Sequence, residues 1–264
     1  MRSVMSAVLA LLCMGGSISA AYPPLKVMQA SDQAVTVGSE AFSVEVGSTG
    51  RVQKLQAGGV EYVSFIALYT GPTSFETGKS IRAVQGEGPG RDLGPAPSSI
   101  TAERRGERYF IPIRHVAARE EICGGDPLYE LLQTVEIAPS GALNLRYEVT
   151  YLRFFQMGRP IIYVALAAKT FAGLTYWADY SGRCEHGVFT EDKGYTKFEG
   201  LDGPLRSMQV DCPAGPFTMW LDTDTRVTST RWGDAYDSIG LAVVGGQVYA
   251  GVRDVVQYTI KVPL

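Results

Sequence analysis

The segment from Tyr176 to Tyr195 concentrates side chains that could do chemistry. It combines aromatic residues, carboxylates, an arginine and one of the chain's 2 histidines. Aromatic rings stack on the apolar face of a sugar ring, and a few polar groups then fix its orientation. The mixture is therefore typical of a sugar site. The alternative is a strand whose aromatic residues belong to the core and which continues into a polar loop.

Glu185 and His186 form the only acid–histidine neighbour pair in the sequence. Histidine is the natural general acid or base near neutral pH, and a glutamate can orient it or share its proton. Neighbouring residues on a strand point to opposite faces, so this pair can cooperate only in a loop. Gly182 and Gly187 bracket the pair and favour a loop. The alternative is a solvated loop histidine without a catalytic partner.

An enzyme acting on a sugar would use His186 as general acid or base and Glu185 or Glu191 as its carboxylate. Arg183 would neutralise substrate charge, as a lyase needs for a uronate. If the segment begins as a strand, Tyr176 and Tyr180 share one face. The residues expected to contact the sugar are Trp177, Tyr180, Glu191 and Tyr195.

Other candidates carry weaker signals. His115 follows Tyr109, Ile111 and Ile113 at period two, which favours a core histidine over a second site histidine. Asp222-Thr223-Asp224 resembles part of a calcium loop but lacks the required glycine and glutamate, so a turn explains it better. Trp220 and Trp232 flank this turn and are interpreted as core residues.

Several chemistries are disfavoured by missing motifs. The chain has no Cys-x-x-Cys pair, no phosphate-binding glycine loop, no dinucleotide fingerprint and no Gly-x-Ser-x-Gly. We therefore expect no metal site and no cofactor. The net charge of -3 and the absence of a basic block also argue against a nucleic-acid partner.

Strand signals recur along the chain and predict the scaffold. Leu143 to Tyr151 alternates apolar and polar residues, and a turn at 139–141 separates it from a second run rich in strand-forming residues, Leu131 to Ile137. Two such runs predict a hairpin. Pro160 to Ala168 has no polar residue and predicts a strand buried on both faces. We expect an all-β fold, a large antiparallel β-sandwich of about 15 strands with few or no long helices.

The early part of the chain also carries a family resemblance. A strand at Phe42–Val46, a turn at Gly50, a strand at Arg51–Leu55 and a Gly58-Gly59 pair before Val60–Val63 follow in order. This resembles the opening meander of galactose mutarotase-like β-supersandwich domains, and the paired strands further on are similar too. Such domains occur in sugar epimerases, glycoside hydrolases and polysaccharide lyases, so the resemblance implies a carbohydrate ligand.

The resemblance implies the fold more strongly than the activity. The mutarotase pattern of two well-separated active-site histidines with a carboxylate base is not cleanly matched by His115 and His186. Three hypotheses therefore stay open: an enzyme on carbohydrate, a sugar-binding module, and a non-catalytic structural or interaction module of the cell envelope.

The sequence contains few cysteines. Cys123, Cys184 and Cys212 follow the N-terminal segment, an odd number. We expect a disulfide between Cys184 and Cys212 with Cys123 free, or no bridge at all.

The N-terminus predicts export. Arg2 precedes an apolar run from Val4 to Leu12, and small residues from Gly15 to Ala21 end in Ser19-Ala20-Ala21. This pattern is typical of a signal peptide spanning residues 1–21, ahead of one domain at 22–264 without a transmembrane helix. The alternative, an uncleaved anchor, is disfavoured because a bilayer span needs about 20 apolar residues.

We expect the mature protein, periplasmic or extracellular, to begin at Tyr22 or Ala21, because cleavage follows the small residues. N-terminal sequencing of exported protein tests this. Retention of Met1 in a membrane fraction would contradict it.

Overall fold

The structure, a computed structural model, describes residues 22–70, 72–73, 83–86, 99–118, 126–152, 156–157, 161–180, 183–189, 203–221, 226–232, 238–244, 251 and 253–264. Several residues named above lie outside the described residues: the segment 1–21, Cys123, Glu191, Tyr195 and Asp222-Thr223-Asp224.

Strands dominate the described chain. In order they are β1 (Lys26–Ala30), β2 (Ala34–Gly38), β3 (Phe42–Gly47), β4 (Val52–Ala57), β5 (Val60–Thr70), β6 (Pro72–Thr73), β7 (Ala83–Val84), β8 (Glu103–Arg105), β9 (Arg108–Ala118), β10 (Pro127–Ile137), β11 (Ala142–Tyr151), β12 (Gln156–Met157), β13 (Ile161–Ala167), β14 (Thr175–Tyr180), β15 (Arg183–Val188), β16 (Gly203–Cys212), β17 (Gly215–Leu221), β18 (Arg226–Trp232), β19 (Ser238–Val244) and β20 (Arg253–Lys261). A four-residue helix, α1 (Ala168–Phe171), follows β13.

The strands form two large antiparallel sheets. The first sheet has the order β1-β2-β3-β4-β5-β13-β19-β18, with β7 beside the end of β5. The second sheet has the order β8-β9-β10-β11-β20-β17-β16-β14-β15. The start of β16 also pairs with β18, which joins the two sheets. The predicted all-β antiparallel sandwich is confirmed.

Period-two alternation decides which side chains fill the core. In β11, alternate residues from Leu143 to Tyr151 are buried, and the others are half-buried. The predicted hairpin forms as expected, since Leu131 of β10 pairs with Val149 of β11. Strand β13 lies between β5 and β19 with Ala165 and Leu166 both buried, so the prediction of a strand buried on both faces is also confirmed.

The described chain has more strands than the sequence predicts. Four of them, β6, β7, β8 and β12, contain only two or three residues. Alternation cannot be recognised over such lengths, because it needs about four residues or more to show.

Two buried glutamines connect the sheets across the core. Gln133 lies on the inner face of β10, and Gln85 follows β7. The Gln85 Nε2 atom donates a hydrogen bond to Gln133 Oε1 at 2.8 Å and another to the carbonyl oxygen of Thr49. Gln133 Nε2 donates in turn to the carbonyl oxygen of Gly50 at 2.7 Å. The β3–β4 turn of the first sheet is thereby fixed to the centre of the second sheet.

The remaining polar atoms of this pair are also bonded. The Leu68 amide of β5 donates to Gln85 Oε1 at 3.1 Å, and Gln133 Nε2 lies 3.2 Å from the Tyr147 hydroxyl of β11. Buried amides are stable only when such partners are present, because an unsatisfied buried polar group costs about 1–3 kcal/mol. The glutamine pair therefore specifies how the two sheets face each other.

A substitution at Gly50 tests the contact between Gln85 and Gln133. The φ of Gly50 is 87°, and a Cβ there would lie 2.3 Å from Gln133 Oε1 and 2.6 Å from Gln85 Nε2. Gly59 is a matched control, since its φ is 79° and a Cβ there meets nothing within 4 Å. Both substitutions to alanine strain the backbone, but only Gly50→Ala also separates the buried amides.

We expect Gly50→Ala to lower the free energy of unfolding by about 1–3 kcal/mol more than Gly59→Ala, the cost of breaking buried hydrogen bonds. Urea denaturation measures both variants. Equal losses would show that the glutamine contact adds no stability.

Candidate functional site

Strands β14 and β15 carry most of the predicted site residues and form one edge of the second sheet. Their register pairs Trp177 with His186 and Tyr180 with Arg183. The expectation of a loop around His186 was wrong, because Arg183–Val188 is a strand. Glu185 and His186 consequently point to opposite faces of the hairpin, and they cannot act as an acid–base pair.

Trp177 and His186 come together on the solvent face of this hairpin. Both side chains are exposed, and 45% of Trp177 remains accessible. Their ring centroids lie 5.2 Å apart, with the ring planes inclined by 30°. The two rings form a continuous aromatic surface that is open to a ligand.

Arg183, Glu185 and Tyr180 lie on the other face. The Arg183 guanidinium sits 4.9 Å from the centroid of the buried Tyr180 ring. Arg183 Nε also lies 3.5 Å from Glu185 Oε1. These three side chains therefore contact one another, and the predicted single cleft shared with His186 is not formed.

A second tryptophan joins the solvent face. Trp220 of β17 pairs with Ser207 of β16, and Ser207 pairs with Asp179 of β14. Trp220 thus shares the face of Trp177. It lies two strands across and two residues along the strand, a separation of about 12 Å. The interpretation of Trp220 as a core residue was wrong, since it is 41% exposed. The alternation of Phe217, Met219 and Leu221, all buried, was the sequence signal for an outward Trp220.

Polar groups of β16 lie beside Trp177. Trp177 Nε1 donates a hydrogen bond to Asp211 Oδ2 at 3.4 Å. Gln209 Nε2 donates to the other oxygen, Asp211 Oδ1, at 3.0 Å. These bonds orient the indole ring. We call the surface formed by five residues the tryptophan face: Trp177, His186, Gln209, Asp211 and Trp220.

A cleft of about 370 Å³ adjoins Trp220 at the end of the second sheet. Its lining includes Tyr22, Ser140, Pro216, Thr218, Trp220 and Lys261. The Thr218 hydroxyl is buried here and has no hydrogen-bond partner among the described residues. The cleft therefore offers an aromatic wall and a cation to a polar ligand.

The two histidines are far apart. His115 is buried on the inner face of β9 with Ile111 and Ile113, as its spacing predicts. His186 lies seven strand positions away in the second sheet, on the opposite face. His115 and His186 cannot act on one ligand. Among the described residues, no group of three or more His, Cys, Asp or Glu side chains could hold a metal ion.

The predicted disulfide between Cys184 and Cys212 was wrong, because both thiols are free. Cys184 is exposed on β15, whereas Cys212 is buried on the inner face of β16. Cys184 pairs with Asp179, which pairs with Ser207, and Cys212 lies about 17 Å further along that strand. A disulfide requires Cα atoms within about 7 Å.

Comparison with solved structures identifies the fold. Galactose 1-epimerase from Lactobacillus acidophilus NCFM matches with a TM-score of 0.57 and 9% identity, over 90% of this chain and 97% of that one. The Slr1438 protein of Synechocystis sp. PCC 6803 matches with a TM-score of 0.50 and 11% identity, over 91% and 96%. The GalM/aldose epimerase homologue from C. elegans matches with a TM-score of 0.50 and 8% identity, over 84% and 95%.

These matches confirm the resemblance to galactose mutarotase-like domains at the level of architecture. No protein-family model matches the sequence, and no curated protein is similar to it at the level of sequence. In the described part of the chain, no helix has the length and apolar character to cross a membrane.

The two cysteines should differ in reactivity. Burial raises the pKa of the Cys212 thiol to about 11. At pH 8 about one thousandth of Cys212 is then thiolate, the form that reacts with alkylating agents. We expect iodoacetamide to modify exposed Cys184 in the native protein and Cys212 only after unfolding in urea. Peptide mass mapping measures this, and equal native labelling would contradict the placement of the two thiols.

Proposed function

We propose that this protein binds carbohydrate through the tryptophan face. The observation that carries the proposal is the pair of exposed tryptophans, Trp177 and Trp220, on one face of the second sheet. Tryptophan is usually highly buried, so two exposed rings on one surface indicate a ligand. A sugar suits them because it offers an apolar ring face together with hydroxyl groups.

The polar groups beside the rings support the same ligand. Gln209 and Asp211 supply amide and carboxylate groups that can bond sugar hydroxyls. A surface for a protein partner would have an apolar centre with few charges. Polar groups interleaved with aromatic rings suit a hydroxyl-rich ligand better, which disfavours the structural-module hypothesis. The similarity of the fold to a galactose 1-epimerase agrees with a sugar as the ligand class.

Binding is better supported than catalysis. A general base requires an orienting partner within hydrogen-bonding distance. Among the residues that the structure describes, no carboxylate bonds the His186 ring, and Glu185 points to the opposite face. We further propose that the protein acts after export, because residues 1–21 have the features of a signal peptide.

Trp177→Ala should weaken carbohydrate binding by at least about 30-fold, because truncating a central tryptophan typically costs 2 kcal/mol or more. The control is Leu132→Ala, which removes a side chain that is 43% exposed on the outer face of β10 in the same sheet. A glycan array selects the sugar, and isothermal titration calorimetry compares the variants. Circular dichroism checks their fold.

Two outcomes would overturn this proposal. One is unchanged affinity in Trp177→Ala. The other is turnover of the bound sugar by the wild-type protein that is lost in His186→Ala, which would establish an enzyme.

A further inference from the structure

We infer that the ligand of the tryptophan face is a neutral glycan chain, in preference to a single sugar or a polyuronate. This inference rests on the proposed function and adds the size and charge of the ligand. It depends on the length of the surface, the spacing of its rings and the placement of its charges.

The surface extends across five strands. The tryptophan face begins at His186 on β15 and crosses β14, β16 and β17. It then continues to Lys261 of β20, which pairs with Thr218 of β17 and lines the cleft beside Trp220. Four strand spacings correspond to about 19 Å. A strip of this length exceeds one sugar ring and matches a chain lying across the strands.

Two stacking positions occupy this strip. Trp177 and Trp220 lie two strands across and two residues along from each other, about 12 Å, and the tryptophan rings cannot both stack on one pyranose at that distance. Gln209 lies between them and can bond the hydroxyl groups of the intervening sugar units. The arrangement favours successive units of one chain.

The cleft beside Trp220 extends the path further. Tyr22 and Lys261 lie on its lining, and the Thr218 hydroxyl within it has no partner among the described residues. A chain that continues past Trp220 reaches Lys261 and Tyr22, which a ligand confined to Trp177 cannot do.

Charge selects among glycan chains. Asp211 accepts the hydrogen bond of the Trp177 indole, and Asp179 is exposed on the same face of β14. A uronate stacked on Trp177 would place its carboxylate beside these two carboxylates. Arg183, which could neutralise a uronate, lies on the opposite face, and Lys261 is three strand positions from Trp177. Exposed Arg206 is three residues, or about 10 Å, along β16 from Gln209, so it is further from Trp177 than Asp211 is. The face therefore favours a neutral chain.

The test titrates neutral gluco-, xylo-, manno- and galacto-oligosaccharides of one to six units into the full chain, with polygalacturonate and alginate as charged probes. We expect the affinity for the preferred neutral series to rise at least tenfold from the monosaccharide to the hexasaccharide. Trp220→Ala should reduce the hexasaccharide affinity to that of the disaccharide, and Leu132→Ala should leave the length dependence unchanged.

The salt dependence of binding tests whether the charges of the tryptophan face exclude polyuronates. Raising sodium chloride from about 20 mM to about 500 mM screens surface charges. Polyuronate binding should be absent at low salt and at most increase at high salt, whereas neutral-chain binding should not change.

The outcomes separate this inference from the proposed function. If a monosaccharide binds as tightly as its hexasaccharide, if Trp220→Ala retains the length dependence, or if polyuronate binds most tightly at low salt, a neutral chain is not the ligand, although carbohydrate binding stands. If no glycan binds, or if Trp177→Ala binds normally, the proposed function itself fails and the inference fails with it.

Discussion

The contact between Gln85 and Gln133 is the constraint on which the arrangement of the two sheets depends. Apolar packing between sheets is not directional, so it fixes their separation better than their register. A pair of buried amides must meet every hydrogen-bonding partner at once, and here the partners come from the β3–β4 turn, β5, β10 and β11. Such networks specify one packing arrangement, because any other arrangement leaves a buried polar group unpaired and lowers the free energy of unfolding. The contact requires glycine at position 50, because any side chain there would occupy the space of both amides.

Once the inner face of the second sheet is fixed, the outer face follows by alternation. Each buried residue of β14, β16 and β17 obliges its neighbours to point outward, so the positions of Trp177, Gln209 and Trp220 depend on the burial of Tyr176, Val210 and Phe217. The outward direction of the candidate site residues is therefore set by the burial of their strand neighbours in the core. Its side chains come from four strands that pair in space, and only β14 and β15 lie in the segment whose composition first suggests a sugar site.

Sequence periodicity predicts the fold well and the site in part. It identifies β10, β11 and β13 and the face shared by Tyr176 and Tyr180, because each strand has enough apolar residues to show the pattern. It misses β15, since Arg183–Val188 has few buried residues and becomes a strand by pairing with β14. The separation of Cys184 from Cys212 and the contact of Gln85 with Gln133 both depend on pairing between distant strands. No local pattern encodes them.

Among the described strands, β15 is the last of the second sheet, and it presents the candidate site as part of a hairpin with β14. Its solvent-facing residues leave one face open, while charged Arg183 and Glu185 line the strand and protect an exposed edge from pairing with another chain. The inner face is held by Tyr176, whose ring lies 4.7 Å from that of Phe189. The Tyr176 hydroxyl lies directly beneath Gly187, where a Cβ would approach it to 2.3 Å. The absence of a side chain at Gly187 lets the tyrosine pack closely under β15. That packing places the neighbouring His186 against Trp177, with ring centroids 5.2 Å apart, so the aromatic surface is a consequence of the way Tyr176 packs in the core.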